Sequence, residues 1–162
     1  MAGTITKAQL DVSITETVTL NGVTYGNNLN KSFAGNGKVD QRIMTIAAKG
    51  EEGMTVTTIL ALSTVDAKGQ VVVADYSYFR ITNTDDSNAL ILELYNGADY
   101  IYFNVEAGES FILMSPETDY LAASGPVTFA DIQQINGASA STTESIDIEY
   151  VAVTKGGIEE GE

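Results

Sequence analysis

The sequence predicts an all-β protein, an antiparallel β-sandwich of jelly-roll type, folded as a single domain with long loops. The first sign is composition. The 162 residues include 18 threonines, 14 isoleucines and 13 valines, β-branched side chains that suit a pleated, half-buried surface better than a helix. The second is punctuation, because fifteen glycines and only two prolines, together with Asn and Asp clusters, cut the chain into about ten short strand-like runs. The third is the lack of any long helical period or fixed-length repeat, which sets aside bundles, propellers and solenoids. The length suits one core. We place the sandwich at residues 1–155 and an acidic C-terminal tail at 156–162.

Taken in order, Ile5 to Ile14 alternates, with Leu10, Val12 and Ile14 on one side and Asp11 and Ser13 on the other, as a one-sided strand requires. Thr17 to Leu20, Asn21-Gly22, and Val23 to Tyr25 form a hairpin signal, since Asn-Gly tolerates the positive φ angles of a type I′ turn. Gly26 to Lys38 is rich in Gly and Asn and reads as a long exposed loop. Val39 to Ala48 and Met54 to Leu62 read as hairpin partners across a glycine-bounded acidic turn. A short strand at Gln70 to Ala74 precedes Tyr76 to Thr82, and Asn83 to Asn88 is a turn. Leu90 to Leu94 is apolar nearly throughout and suits a central strand. With Tyr100 to Val105 and Ser110 to Met114 it reads as a three-stranded meander. In the middle strand Ile101, Phe103 and Val105 are expected in the core and Tyr100 and Tyr102 outside. Tyr120 to Ser124 and Pro126 to Phe129 read as edge strands, Ala130 to Ile135 as a short helical turn, and Gly137 to Ser145 as a flexible low-complexity loop. Ile146 to Val153 is a final strand with Ile146, Ile148, Tyr150 and Ala152 on one face.

Charge is segregated. Residues 1–80 carry seven Lys/Arg and seven Asp/Glu, whereas 81–162 carry one Lys and fifteen Asp/Glu, so the whole net charge of -14 lies in the second half. Such a surface repels phosphate backbones, so direct nucleic-acid binding is not expected, and the neutral half is the expected docking side. Its candidate contact residues are Lys31, Phe33, Lys38 and Arg42, to which the outward Tyr100 and Tyr102 are added. Membrane association is not expected either, since no apolar run approaches about 20 residues, and the amino terminus lacks the pattern of a secretory signal.

Chemistry is sparsely provided for. The chain has no His and no Cys, which removes the commonest general base, the commonest transition-metal ligand and any thiolate site. No catalytic, cofactor-binding or metal residues are assigned, and no enzyme activity is expected. Asp85 and Asp86 sit in an oxygen-rich segment that would suit calcium, but Asp, Asn and Ser also favour turns for local reasons. The pairs Glu106/Glu109 and Asp147/Glu149 are close enough in sequence for glycosidase acids, yet their turn and strand positions suit solvated side chains. Gly35-Asn36-Gly37-Lys38 lacks the full phosphate-loop pattern and reads as loop.

Three segments, TVTLNGVTYGN (17–27), VDQRIMTIA (39–47) and FRITNTDDSNALILEL…YFNVEAGESFILM (79–114), together resemble small β-sandwich virion proteins of tailed phages, particularly marine and cyanobacterial ones. The resemblance implies a structural protein of the virion, made in the host cytoplasm. Its first form is a capsid decoration or cement protein that contacts the major capsid protein or other virion proteins, as a homo-oligomer for which a trimer is a common arrangement. The alternative is a tail-associated structural or host-recognition module that binds carbohydrate. It implies no cofactor.

Overall fold

The computed structural model describes residues 8–51, 53–63, 71–72, 76–114 and 132–155. Its strands are β1 (Ala8–Leu20), β2 (Val23–Ile46), β3 (Thr57–Ser63), β4 (Val71–Val72), β5 (Tyr76–Asn83), β6 (Leu90–Tyr95), β7 (Tyr100–Val105), β8 (Ser110–Leu113), β9 (Gln134–Ser139) and β10 (Ile146–Lys155). The described residues contain no helix. One sheet has the order β1-β2-β10-β5-β8 and the other β4-β3-β9-β6-β7. Every pair is antiparallel except β3 with β4. Leaving out β1 and β4, the sheets read β2-β10-β5-β8 and β3-β9-β6-β7, the strand order of a jelly roll made of two interleaved Greek keys. The predicted antiparallel sandwich is the fold.

Alternation decides which side chains enter the core, because directly paired residues share a face. Ile146, Ile148, Tyr150 and Ala152 of β10 are all buried, as the sequence pattern predicts, and Ile46, Phe79 and Ile81 join them from the same sheet. Leu90, Leu92, Leu94, Ile135 and Leu60 belong to the same cluster from the opposite sheet. The tilted rings of Phe79 and Tyr150, with centroids 6.1 Å apart, lie in this core. The Asn21-Gly22 turn has φ values of 52° and 77°, the positive angles that a type I′ hairpin needs.

Four expectations are corrected. Gly26 to Lys38 is not a loop but part of the 24-residue β2, because continuous backbone pairing from Val23 to Phe33 against Leu10 to Leu20 overrides a turn-prone composition. Gly35 to Lys38 belongs to the same strand and not to a loop. Val39 to Ile46 does not pair with β3; it pairs with β10, while β3 pairs with β9 in the other sheet. The meander breaks after β7, since β8 crosses to pair with β5. Finally, the segment read as a helical turn followed by a flexible loop contains β9, which sits between β3 and β6. Its small residues serve packing: a Cβ on Gly137 would lie 2.9 Å from both Ile59 Cδ1 and Leu90 Cδ1. The strands expected at Tyr120 to Ser124 and Pro126 to Phe129, and the tail at 156–162, lie outside the described residues.

The Asn83 to Asn88 segment is the expected turn, and its chemistry is visible. Asn83, fully buried, donates from Nδ2 to the carbonyls of Asn88 (2.8 Å) and Val105 (3.1 Å). Asp85 Oδ1 accepts the backbone N–H groups of Asn88 at 2.7 Å and Ser87 at 2.9 Å. These two bonds hold the Asp85 carboxyl below its ordinary pKa, since they favour the charged form. Among the described residues no three acidic side chains converge as a metal site.

Candidate functional site

Two surfaces stand out from the fold, and the first is an arm. Pairing between β10 and β2 spans Ile46 back to Asn36, so β2 from Val23 to Gly35 is paired with β1 alone. From Leu10/Phe33 to Leu20/Val23 this two-stranded ribbon is about 35 Å long, at about 3.4 Å per residue. The register puts Leu10, Val12, Ile14, Val18 and Leu20 on one face with Leu29, Tyr25 and Val23, and Glu16, Asn27 and Lys31 interrupt that apolar face. Toward the tip, Val18, Leu20, Val23, Tyr25 and Leu29 are between 49% and 61% exposed, while Leu10, Val12 and Ile14 nearer the base are half-buried.

The opposite face of the arm is a polar ladder. Ser13 Oγ donates to Asn30 Oδ1 at 2.8 Å, Ser32 Oγ to Asp11 Oδ1 at 2.6 Å, and Gln9 Nε2 also to Asp11. The Ser32 and Gln9 bonds lower the pKa of Asp11. Polar pairs are thus satisfied on one face while apolar pairs are left in water on the other. An isolated two-stranded ribbon is marginal in water, and long unpaired edges are normally blunted by charge or proline. This arm has Asp11, Glu16 and Lys31 as its only formal charges between residues 8 and 36, and no proline.

At the base of the arm, Asp40, Arg42 and Tyr150 lock β2 to β10. The Tyr150 hydroxyl donates to Asp40 Oδ2 at 2.8 Å, and Arg42 Nε lies 2.8 Å from Asp40 Oδ1. Burial first, and then the bond to Asp40, raise the Tyr150 hydroxyl to a pKa of about 12.

The second surface is a groove of about 380 Å³ on the outer face of the β3-β9-β6-β7 sheet. Two neighbouring rungs of the ladder build it. One rung carries Tyr102, Glu93 and Asn136, and the next carries Tyr100, Tyr95 and Gln134. Met54 and Val56, just before β3, form its lip. Tyr95 and Tyr100 stack with centroids 4.7 Å apart, and Tyr102 continues the stack at 6.2 Å from Tyr100. The floor is polar and shielded, with Glu93 and Asn136 each 3% exposed. Asn136 Nδ2 donates to Glu93 Oε1 at 2.8 Å. That bond fixes the orientation of the amide and leaves Asn136 Oδ1 as a buried acceptor without a donor. Burial first, then its hydrogen bond to Glu93, raise the pKa of the Tyr102 hydroxyl.

The contact residues read from sequence do not form one site. Tyr100 and Tyr102 line the groove, Lys31 sits on the arm opposite Val12, and Arg42 lies at the arm base, bound to Asp40. Phe33 pairs with Leu10 along the backbone, while the side chains of Phe33 and Lys38 are outside what is described. Ile101 and Phe103 share the inward side of β7, but this is an edge strand: they remain 39% and 38% exposed, and Phe103 meets Phe111 across the open edge at 4.7 Å. Of the three residues expected in the core, Val105 alone is buried.

Sequence reasoning missed Glu93, Gln134 and Asn136. The signal was a single carboxylate inside LILELY, an otherwise apolar strand. Three of the four acids weighed for catalysis have partners of their own: Asp147 accepts from Thr45, Glu149 from Arg80 and Gln41, and Glu106 from Asn104. Set against protein-family models, curated proteins and solved structures, the chain matches none.

Proposed function

We propose that this chain is a structural protein of a phage virion, a capsid decoration or cement subunit, that completes its fold by laying the apolar face of its arm on a neighbouring virion protein. The observation that carries this reading is the one-sided arm itself. Its geometry suits a docking element. Covering Val18, Leu20, Val23, Tyr25 and Leu29 removes roughly half of each side chain from water, worth on the order of 5 kcal/mol before ordering costs are met. Charge agrees with this orientation. The arm belongs to the neutral half of the sequence, so it carries little of the net charge into the contact.

The test is binding of the purified protein to phage heads that lack it, with bound copies counted across a salt series. A contact made mainly by apolar side chains, with Glu16 and Lys31 as the charges on that face, is expected to saturate at a fixed copy number and to keep most of its strength as salt rises, because screening acts on charges. Absence of saturable binding to heads would refute the decoration role.

A further inference from the structure

We propose that the groove on the outer face of the β3-β9-β6-β7 sheet is a binding site for a neutral saccharide. Four observations support a ligand site over ordinary sheet surface. Glu93 and Asn136 point to the outer face yet are 3% exposed. Asn136 Oδ1 is a buried acceptor with no donor, a state that folding tolerates poorly unless a ligand or water completes it. The volume of about 380 Å³ falls within the usual small-ligand range of about 300–1,000 Å³. Apolar Met54 and Val56 border the polar floor, giving the mixture of apolar wall and few placed polar groups that ligand sites share.

The polar groups select the class. The orphan acceptor requires a donor, while the Gln134 amide and the Tyr100 hydroxyl both give and take hydrogen bonds; the Tyr95 hydroxyl, which donates to the Gly97 carbonyl at 2.7 Å, can still accept. A sugar hydroxyl also does both, and adjacent hydroxyls on a ring match groups on neighbouring rungs. An anion is disfavoured by Glu93 and by a second half carrying one Lys and fifteen acids. A cationic side chain is less well served. Glu93 already accepts hydrogen bonds from Asn136 and Tyr102. Tyr95 and Tyr100 turn their faces to each other, which removes ring faces a cation would use. The sugar would therefore meet tyrosine hydroxyls and edges, with its apolar side on Met54. This inference is independent of the arm and of the assembly role.

The experiment presents the whole protein to an array of neutral oligosaccharides, with sialylated glycans and a polylysine peptide as the anionic and cationic probes. Saturable retention of a neutral glycan is expected. Tyr100→Ala, at a position 52% exposed, should keep the native circular dichroism and weaken that binding about tenfold or more, the effect of losing one good contact. Asn136→Ser should weaken it likewise, and Thr84→Ala, remote from the groove, should not. The proposal is overturned if no neutral glycan is retained, if Tyr100→Ala binds as well as the parent, or if the polylysine peptide alone is held.

Discussion

Phe79 and Phe103 separate core from edge, and replacing each by alanine tests the placement quantitatively. Phe79 has no exposed surface and packs on Tyr150, so Phe79→Ala removes a fully buried ring and leaves a closed cavity. That loss is about 3–5 kcal/mol. Sequence pattern alone assigns Phe103 to the same core and the same penalty. In the structure, however, Phe103 is 38% exposed on the edge strand β7 and touches Phe111 at the rim of the sandwich. Its transfer from water is incomplete, worth about 1–2 kcal/mol, and truncation there opens a notch to solvent instead of a sealed void. Urea unfolding of the two variants, followed by circular dichroism, should show a shift of the midpoint for Phe79→Ala at least about twice that for Phe103→Ala, at unchanged slope. Equal shifts would refute the edge assignment and put Phe103 back in the core.

Two further changes probe packing and protonation. Gly137→Ala forces a Cβ to 2.9 Å from two core methyl groups, and this overpacking should destabilise the domain by about 1–3 kcal/mol in the same unfolding assay. Ultraviolet titration should find Tyr150 ionising near pH 12, and Asp40→Asn should bring it down toward the ordinary value. The sign for stability follows from proton binding. Between the ordinary tyrosine pKa of about 10 and about 12 the folded state holds a proton that the unfolded state has released. Stability contributed by Tyr150 is therefore complete below that window and is lost as pH rises through it. Stability unchanged by pH across the window would contradict a buried, Asp40-bound hydroxyl.

Much of the sandwich was legible because period-two alternation and turn chemistry are local signals. Ile146 to Ala152 displayed its inward face directly, and Asn21-Gly22 specified its hairpin. Partner choice was not local. Residues 39–46 and 57–62 lie near each other in sequence, yet the jelly roll sends them to opposite sheets, because each buries its apolar face only by pairing with a distant strand, β10 or β9. The Asn-rich half of β2 and the small-residue strand β9 were hidden by composition. In the first, a matched backbone register with β1 overrides turn preference; in the second, Gly137 is required by contact with Ile59 and Leu90. Of the groove, Tyr100 and Tyr102 were read as outward from alternation. Glu93 and Asn136 escaped notice because their meeting depends on the β6-β9 register, which no local pattern encodes.

The exposed apolar face of the arm is the center of the account, and the most direct test is the paired variant Val18→Asp with Leu20→Lys in the head-binding measurement. Both side chains are more than half exposed, at 59% and 61%, so the isolated protein should unfold at nearly the parent urea concentration. Binding to heads should nevertheless be abolished, since two charged side chains, even if paired with each other, would have to lose their water in place of two apolar ones. Parent-like saturation by the double variant, with its fold intact, would contradict the arm as the docking element.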